Sequence, residues 1–140
     1  MIIADTGFWL AIANRRDQYH SVAVHCMDAL GEPLITTWPV LTETCHLLLS
    51  RMGHDAETAF IAACGQEAFE VFDLTQSICG RLHELMHQYR DLPMDLADAS
   101  LVLLAEHLGH GRILSTDQRD FRTYRWKQHP PFENLLLPDG

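Results

Sequence analysis

Four acidic residues, Asp5, Glu43, Asp98 and Asp117, are widely separated in a chain of 140 residues, yet each falls where an apolar run meets a helical pattern. Asp5 closes MIIAD and is followed by Thr6-Gly7, while Asp117 directly follows RILST. Glu43 lies in the opening turns of the helical pattern after PLITT, and Asp98 opens the apolar stretch ADASLVLLAE. A donor set made only of carboxylates favours hard divalent cations, Mg²⁺ or Mn²⁺, over zinc. Such an ion lowers the pKa of a bound water, orients it and offsets charge on a phosphodiester under in-line attack. The chemistry expected is metal-assisted hydrolysis of a phosphodiester, with no protein nucleophile.

Each acid also has an ordinary explanation. Acidic residues in a helix's first turn complement the macrodipole, which covers Glu43 and Asp98. Asp95 can cap the helix that Asp98 opens, and Asp5 and Asp117 suit turns. What argues for a site is that all four fall on one predicted edge, two of them in strongly apolar surroundings. Ionised carboxylates crowded near a core are costly unless a cation or hydrogen bonds satisfy them.

The elements that must carry these residues follow from the hydrophobic pattern. Strands are predicted over 1–5, 33–37, 69–74, 112–116 and 132–137, and helices over 7–13, 20–30, 39–50, 55–64, 76–90 and 95–108. Gly31, Gly65 and Gly109 stop three of the helices, and Pro39 opens another. Alternating strands and helices predict one α/β domain over residues 1–140 with a mainly parallel sheet of four to five strands. In such sheets ligands sit beyond the carboxyl ends of the strands. Those ends are where the four acids fall.

A second motif competes for attention. HELMH, residues 83–87, matches the H-E-x-x-H pattern of zinc peptidases. On a helical wheel Ile78, Leu82, Leu85, Met86 and Tyr89 gather on one face, so Glu84 and His87 point away from the core and His83 sits at its margin. A catalytic zinc site needs a third protein ligand in a cleft. His107, His110 and His129 are available, but no spacing singles one out. An exposed helix face is the expected outcome.

Composition bounds the rest. With 47% hydrophobic residues the chain can bury a real core, and it contains no apolar run long enough for a membrane span. Cys26, Cys45, Cys64 and Cys79 form no C-x-x-C pair and suit free, mostly buried thiols in a reducing cytoplasm. The net charge of −9 argues against a nucleic-acid partner in bulk terms, since phosphate contacts need a basic footprint. However, Arg119, Arg122, Arg125 and Lys127 are clustered, as either a solvated turn or a phosphate-contacting patch. The apolar segment 7–13, with Phe8 and Trp9, exceeds what one core is expected to bury and suggests a dimer.

At the segments MIIADTGFWLAIA, TTWPVLTETCHLLL, LPMDLADASLVLLAE and ILSTDQRDF the sequence resembles the PIN-domain family of metal-dependent ribonucleases, and within it the VapC-type toxins of toxin–antitoxin modules. The resemblance implies a three-layer α/β/α sandwich, one or two Mg²⁺ or Mn²⁺ ions, and endoribonuclease activity on single-stranded RNA. It further implies a homodimer held inactive by a cognate antitoxin protein. Asp5, Glu43, Asp98 and Asp117 correspond to the family's acidic quartet. Asp95 and Asp120 lie close enough in sequence to share the roles of Asp98 and Asp117, and the hydroxyls of Thr6 and Thr116 are candidates to orient a carboxylate or a water. Three other readings remain: an inactive PIN fold that binds RNA or protein, a zinc peptidase, and a receiver-like phosphoacceptor. The last normally needs a lysine near its pocket, and the only one here, Lys127, lies ten residues beyond Asp117.

Overall fold

The computed structural model describes residues 1–128 and 130–138. Its elements run β1 (Ile2–Ala4), α1 (Thr6–Ala13), α2 (His20–Leu30), β2 (Leu34–Thr37), α3 (Trp38–Met52), α4 (His54–Gly65), β3 (Glu70–Phe72), α5 (Cys79–Gln88), α6 (Leu96–Leu108), β4 (Arg112–Leu114), α7 (Gln118–Thr123) and β5 (Glu133–Asn134). One-turn 3₁₀ segments cover Gln76–Ile78 and Trp126–Gln128. The five strands are all parallel, in the order β3-β2-β1-β4-β5. The α/β class and the parallel sheet therefore stand as expected, with helices packed around the sheet.

This order reverses direction between β1 and β4. The two crossovers on either side of that point leave in opposite directions and open a crevice beyond the carboxyl ends. Both strands are short and, apart from Arg112, apolar and buried, as strands covered on both faces must be. Beneath the crevice lies α6, whose residues from Ala99 through Ala105 are all buried, so the acid at its start is anchored to the core. Burying side chains such as Leu101 and Leu104 contributes about 1.5–3 kcal/mol each, which fixes the helix against the sheet. Helix α6 starts at Asp95, whose carboxylate accepts from the Asp98 N–H at 2.8 Å, and ends at Gly109 in the left-handed conformation, φ 79°.

Several expectations need correction. Phe8 and Trp9 do not overflow the core: Phe8 is fully buried, and Trp9 packs against Phe69 and Phe60 with ring centroids 4.5 and 5.6 Å apart. The chain from α4 into β3 supplies the cover that a partner was expected to give. The stretch 119–127 is no simple turn, since much of it forms α7, closed by Arg125 donating to the carbonyls of Thr123 and Tyr124. Arg119, Arg122 and Lys127 remain exposed. All four cysteines are free; three are half-buried and Cys79 is exposed, so they are less sheltered than expected. Among the described residues, no helix is long and apolar enough to cross a membrane.

Candidate active site

Asp5 is carried to the crevice by the end of β1 and the start of α1. Its Oδ1 accepts from the Thr6 N–H at 2.7 Å, and its Oδ2 accepts from the Ser115 hydroxyl at 3.0 Å. Ser115 follows β4 and is fully buried; its Oγ also accepts from the Asp117 N–H at 2.9 Å. One hydroxyl thus ties the two strand ends, and the two acids that follow them, into one bonded unit. Asp98, at the start of α6, accepts from the Tyr124 hydroxyl at 3.0 Å. Glu43 projects from α3, whose buried hydroxyl, that of Thr44, is spent on its own helix at the Val40 carbonyl. Close packing holds the floor: a Cβ on Gly7 would lie 1.8 Å from Thr116 Oγ1, so α1 can approach the β4 loop only with glycine there.

All four acids named from the sequence line one cavity of about 570 Å³. Asp95 and Asp120 line it as well, and so does Asp17, which the sequence pattern did not single out. Among the described residues, the only basic one in the lining is Arg51. The imbalance is felt most where water is excluded. Asp5, with 8% of its surface exposed, has its carboxyl pushed up to about 7 by burial, with the charges of Glu43 and Asp117 adding to the effect against its two hydrogen bonds. Asp98 is pushed up to about 8, first by burial and then by the charges of Asp95 and Asp5. Glu43 is raised by burial and by Asp95, and Asp120 by burial and by Asp117.

Does this donor set suit a hard divalent cation? Among the described residues no three His, Cys, Asp or Glu side chains stand together so as to hold a metal ion by themselves. An Mg²⁺-type ion does not require such a group, because it keeps several waters and binds through one or two carboxylates plus substrate phosphate oxygens. The metal-ligating side chains of the lining are carboxylates, those of buried Asp5 and half-buried Asp98 have no cationic partner among the described residues, and the buried Thr6 Oγ1 has no hydrogen-bond partner there. The residues fit the ion.

The hydroxyls expected to assist differ from those that do. Thr6 serves Asp5 through its backbone N–H, and Thr116 packs over Gly7; the hydroxyl on Asp5 belongs to Ser115. Ser115 and Tyr124 escaped the sequence reading because a hydroxyl at a strand end or after a helix carries no spacing signature. The HELMH residues lie elsewhere. His83, Glu84 and His87 are all exposed, Leu82 and Leu85 face the core, and Glu84 pairs with Arg81 at 3.1 Å. His107 packs against Phe72 with the rings tilted, His110 accepts from the Arg112 N–H, and His129 lies outside the described residues.

With this geometry in view, comparison with known proteins is informative. The chain matches the family model described as PIN domain over residues 2–127. It is 27% identical over 124 residues to Ribonuclease VapC26 of Mycobacterium tuberculosis, covering 89% of this chain and 92% of that protein. It is 29% identical over 100 residues to the 23S rRNA-specific endonuclease VapC20 of the same species, covering 71% of this chain and 76% of that protein. The crystal structure of M. tuberculosis VapC20, described as a sarcin-ricin loop cleaving toxin, superposes with a TM-score of 0.79 at 25% identity, over 85% of this chain and 92% of that one. A match over nearly the whole length, on a parallel sheet whose switch point gathers the acids, leaves one assignment: the chain belongs to the PIN domain family.

Proposed function

We propose that this chain is a VapC-type endoribonuclease, the toxin of a toxin–antitoxin pair, which hydrolyses phosphodiesters of single-stranded RNA at the Asp5–Glu43–Asp98–Asp117 basin. The observation that carries this reading is the convergence of four acids from four separate elements on one cavity, with the carboxyls of buried Asp5 and half-buried Asp98 both pushed up by desolvation and by the neighbouring acids. Asp5 and Asp98 would hold Mg²⁺ or Mn²⁺, and Glu43 and Asp117 complete the set. When bound, the ion supplies charge to the phosphodiester and acidity to the attacking water. The chain's own groups do the rest. Ser115 fixes the rotation of the Asp5 carboxylate, Tyr124 fixes that of Asp98, and Glu43 and Asp117 position the attacking water. Arg51, which lines the same cavity, would meet a flanking phosphate. Residues 1–140 act as one domain in this scheme, in the cytoplasm, where RNA and an antitoxin protein would be met.

The test is cleavage of a single-stranded RNA and of a 23S rRNA fragment bearing the sarcin-ricin loop. The expected result is cleavage with Mg²⁺ or Mn²⁺, none with EDTA, and full cleavage by the His83→Ala, His87→Ala double variant. Metal-independent binding without turnover would favour an inactive RNA-binding PIN fold, and loss of activity in the histidine variant would revive HELMH.

The homodimer belongs to the same proposal, on a different face from the one suggested by Phe8 and Trp9. Trp38, Leu49, Ile61 and Leu96 are 44–50% exposed along α3, α4 and the start of α6, and they line two neighbouring hollows of about 650 and 380 Å³. Large apolar side chains gathered in this way mark an interaction surface. Leu96→Glu is expected to convert a dimer to a monomer in sedimentation velocity; a wild-type monomer at high micromolar concentration would refute the dimer.

A further inference from the structure

The C-terminal strand β5 lies beyond the segment that matches the family model. It pairs with β4 through Arg112↔Glu133 and Ile113↔Asn134, with the N–H groups of Glu133 and Leu135 donating to the carbonyls of Gly111 and Ile113, each at 2.8 Å. There the backbone ladder stops, one step short of Ser115. The side chain of Asn134 carries it on. Its Oδ1 accepts from the Ser115 N–H at 3.2 Å, and its Nδ2 donates to the Ser115 carbonyl at 2.9 Å. A carboxamide has one acceptor and one donor group in the geometry of a peptide unit, so it can replace the missing strand residue on both sides at once. The same Oδ1 accepts from the N–H groups of Leu136 and Leu137 at 3.1 and 3.4 Å, which folds the chain back and fixes the amide's orientation.

Ser115 is the residue whose hydroxyl spans Asp5 and Asp117. Its Oγ can sit between the two only if its backbone is held at one rotation, and the described bonds that hold it beyond the ladder are those from Asn134. We propose that Asn134 is a positioning residue for the hydrolytic site, acting through Ser115 to align Asp5 and Asp117 for the cation. This rests on the reading of that basin as the metal-dependent centre. An orienting partner one bond removed from a metal ligand typically changes metal affinity 10–100-fold when removed.

A turn-forming asparagine whose only task was to fold back the C-terminus would affect stability alone, so the experiment separates the two. Mn²⁺ affinity is measured by calorimetry, with kcat, KM and thermal unfolding, for wild type, Asn134→Ala, Ser115→Ala and the double variant. Asn134→Asp serves as a near-isosteric companion: it keeps the acceptor, loses the donation to the Ser115 carbonyl, and guards against a variant that fails to fold. The expected result is an approximately tenfold loss of Mn²⁺ affinity in Asn134→Ala, a parallel fall in kcat with KM unchanged, and a double variant no weaker than the worse single one. Wild-type affinity and kcat in both Asn134 variants, or additive losses in the double variant, would overturn the assignment. If wild type itself neither binds Mn²⁺ nor cleaves RNA, the hydrolytic reading fails first and this proposal falls with it.

Discussion

Asp5→Asn is expected to lower RNA cleavage by about 10³-fold or more while leaving a cooperative unfolding transition. The substitution keeps the shape of the side chain and retains an acceptor for the Thr6 N–H, so the local capping of α1 survives. What it removes is ligand charge at the most buried acid of the basin. It also removes an unfavourable buried carboxylate, so metal-free Asp5→Asn should be at least as stable as wild type at pH 8, and it should no longer gain stability from Mn²⁺. That pairing separates loss of a ligand from loss of fold. A variant that cleaves at the wild-type rate would remove Asp5 from the site, and one that is inactive because it is unfolded would contradict the expected cooperative transition. Single-turnover cleavage and differential scanning calorimetry on the same preparation read both quantities.

The second large effect is a pH-dependent stability that the cation abolishes. The Asp5 and Asp98 carboxyls hold protons more tightly in the fold, at about 7 and about 8, than the 3.8 ordinary for an aspartate. Between those values the folded chain binds more protons than the unfolded one, so stability falls as pH rises. The contribution is fully present below about pH 4 and is lost as pH passes through 7 to 8. For Asp5 alone the loss is about 4 kcal/mol, which lowers Tm by roughly 10 °C in a chain of this size. Glu32 runs the opposite way: its pairing with Arg112 pulls it down to about 2, so it loses its contribution only below about pH 4 and leaves the window clear. In EDTA the melting temperature is therefore expected to decline from pH 4.5 to pH 8, and in saturating Mn²⁺ to stay level, with the two curves diverging most above pH 7. Parallel curves would mean that the charge in the basin is not what the cation compensates.

Most of this frame is readable in the chain itself, because periodicity reports burial and burial positions strands. The apolar runs before Asp5 and Asp117 had to be interior strands, and the acids that end them had to meet at the sheet's carboxyl edge. Asp98 followed from the helix behind it, which is apolar on nearly every side and so could only be buried. The misreadings have physical causes as well. Charge density over 119–127 masked α7, whose single buried anchor is Phe121. Phe8 and Trp9 looked surplus because a linear count of apolar residues does not show that Phe60 and Phe69 return to cover them. Ser115, Tyr124 and Asn134 were invisible for another reason: a hydroxyl or carboxamide that orients a carboxylate leaves no period and no motif, and its meaning resides in a distance.

The most direct measurement is isothermal titration of the metal-free protein with Mn²⁺ near pH 7, repeated in buffers of different ionisation enthalpy. Carboxyls held partly protonated by burial and mutual repulsion must release protons when the ion enters, so the observed heat is expected to vary with buffer and to report on the order of one proton per binding event. Both the binding and the proton release should vanish in Asp5→Asn combined with Asp98→Asn. Absence of binding at millimolar Mn²⁺, or binding of equal strength in that double variant, would contradict the account.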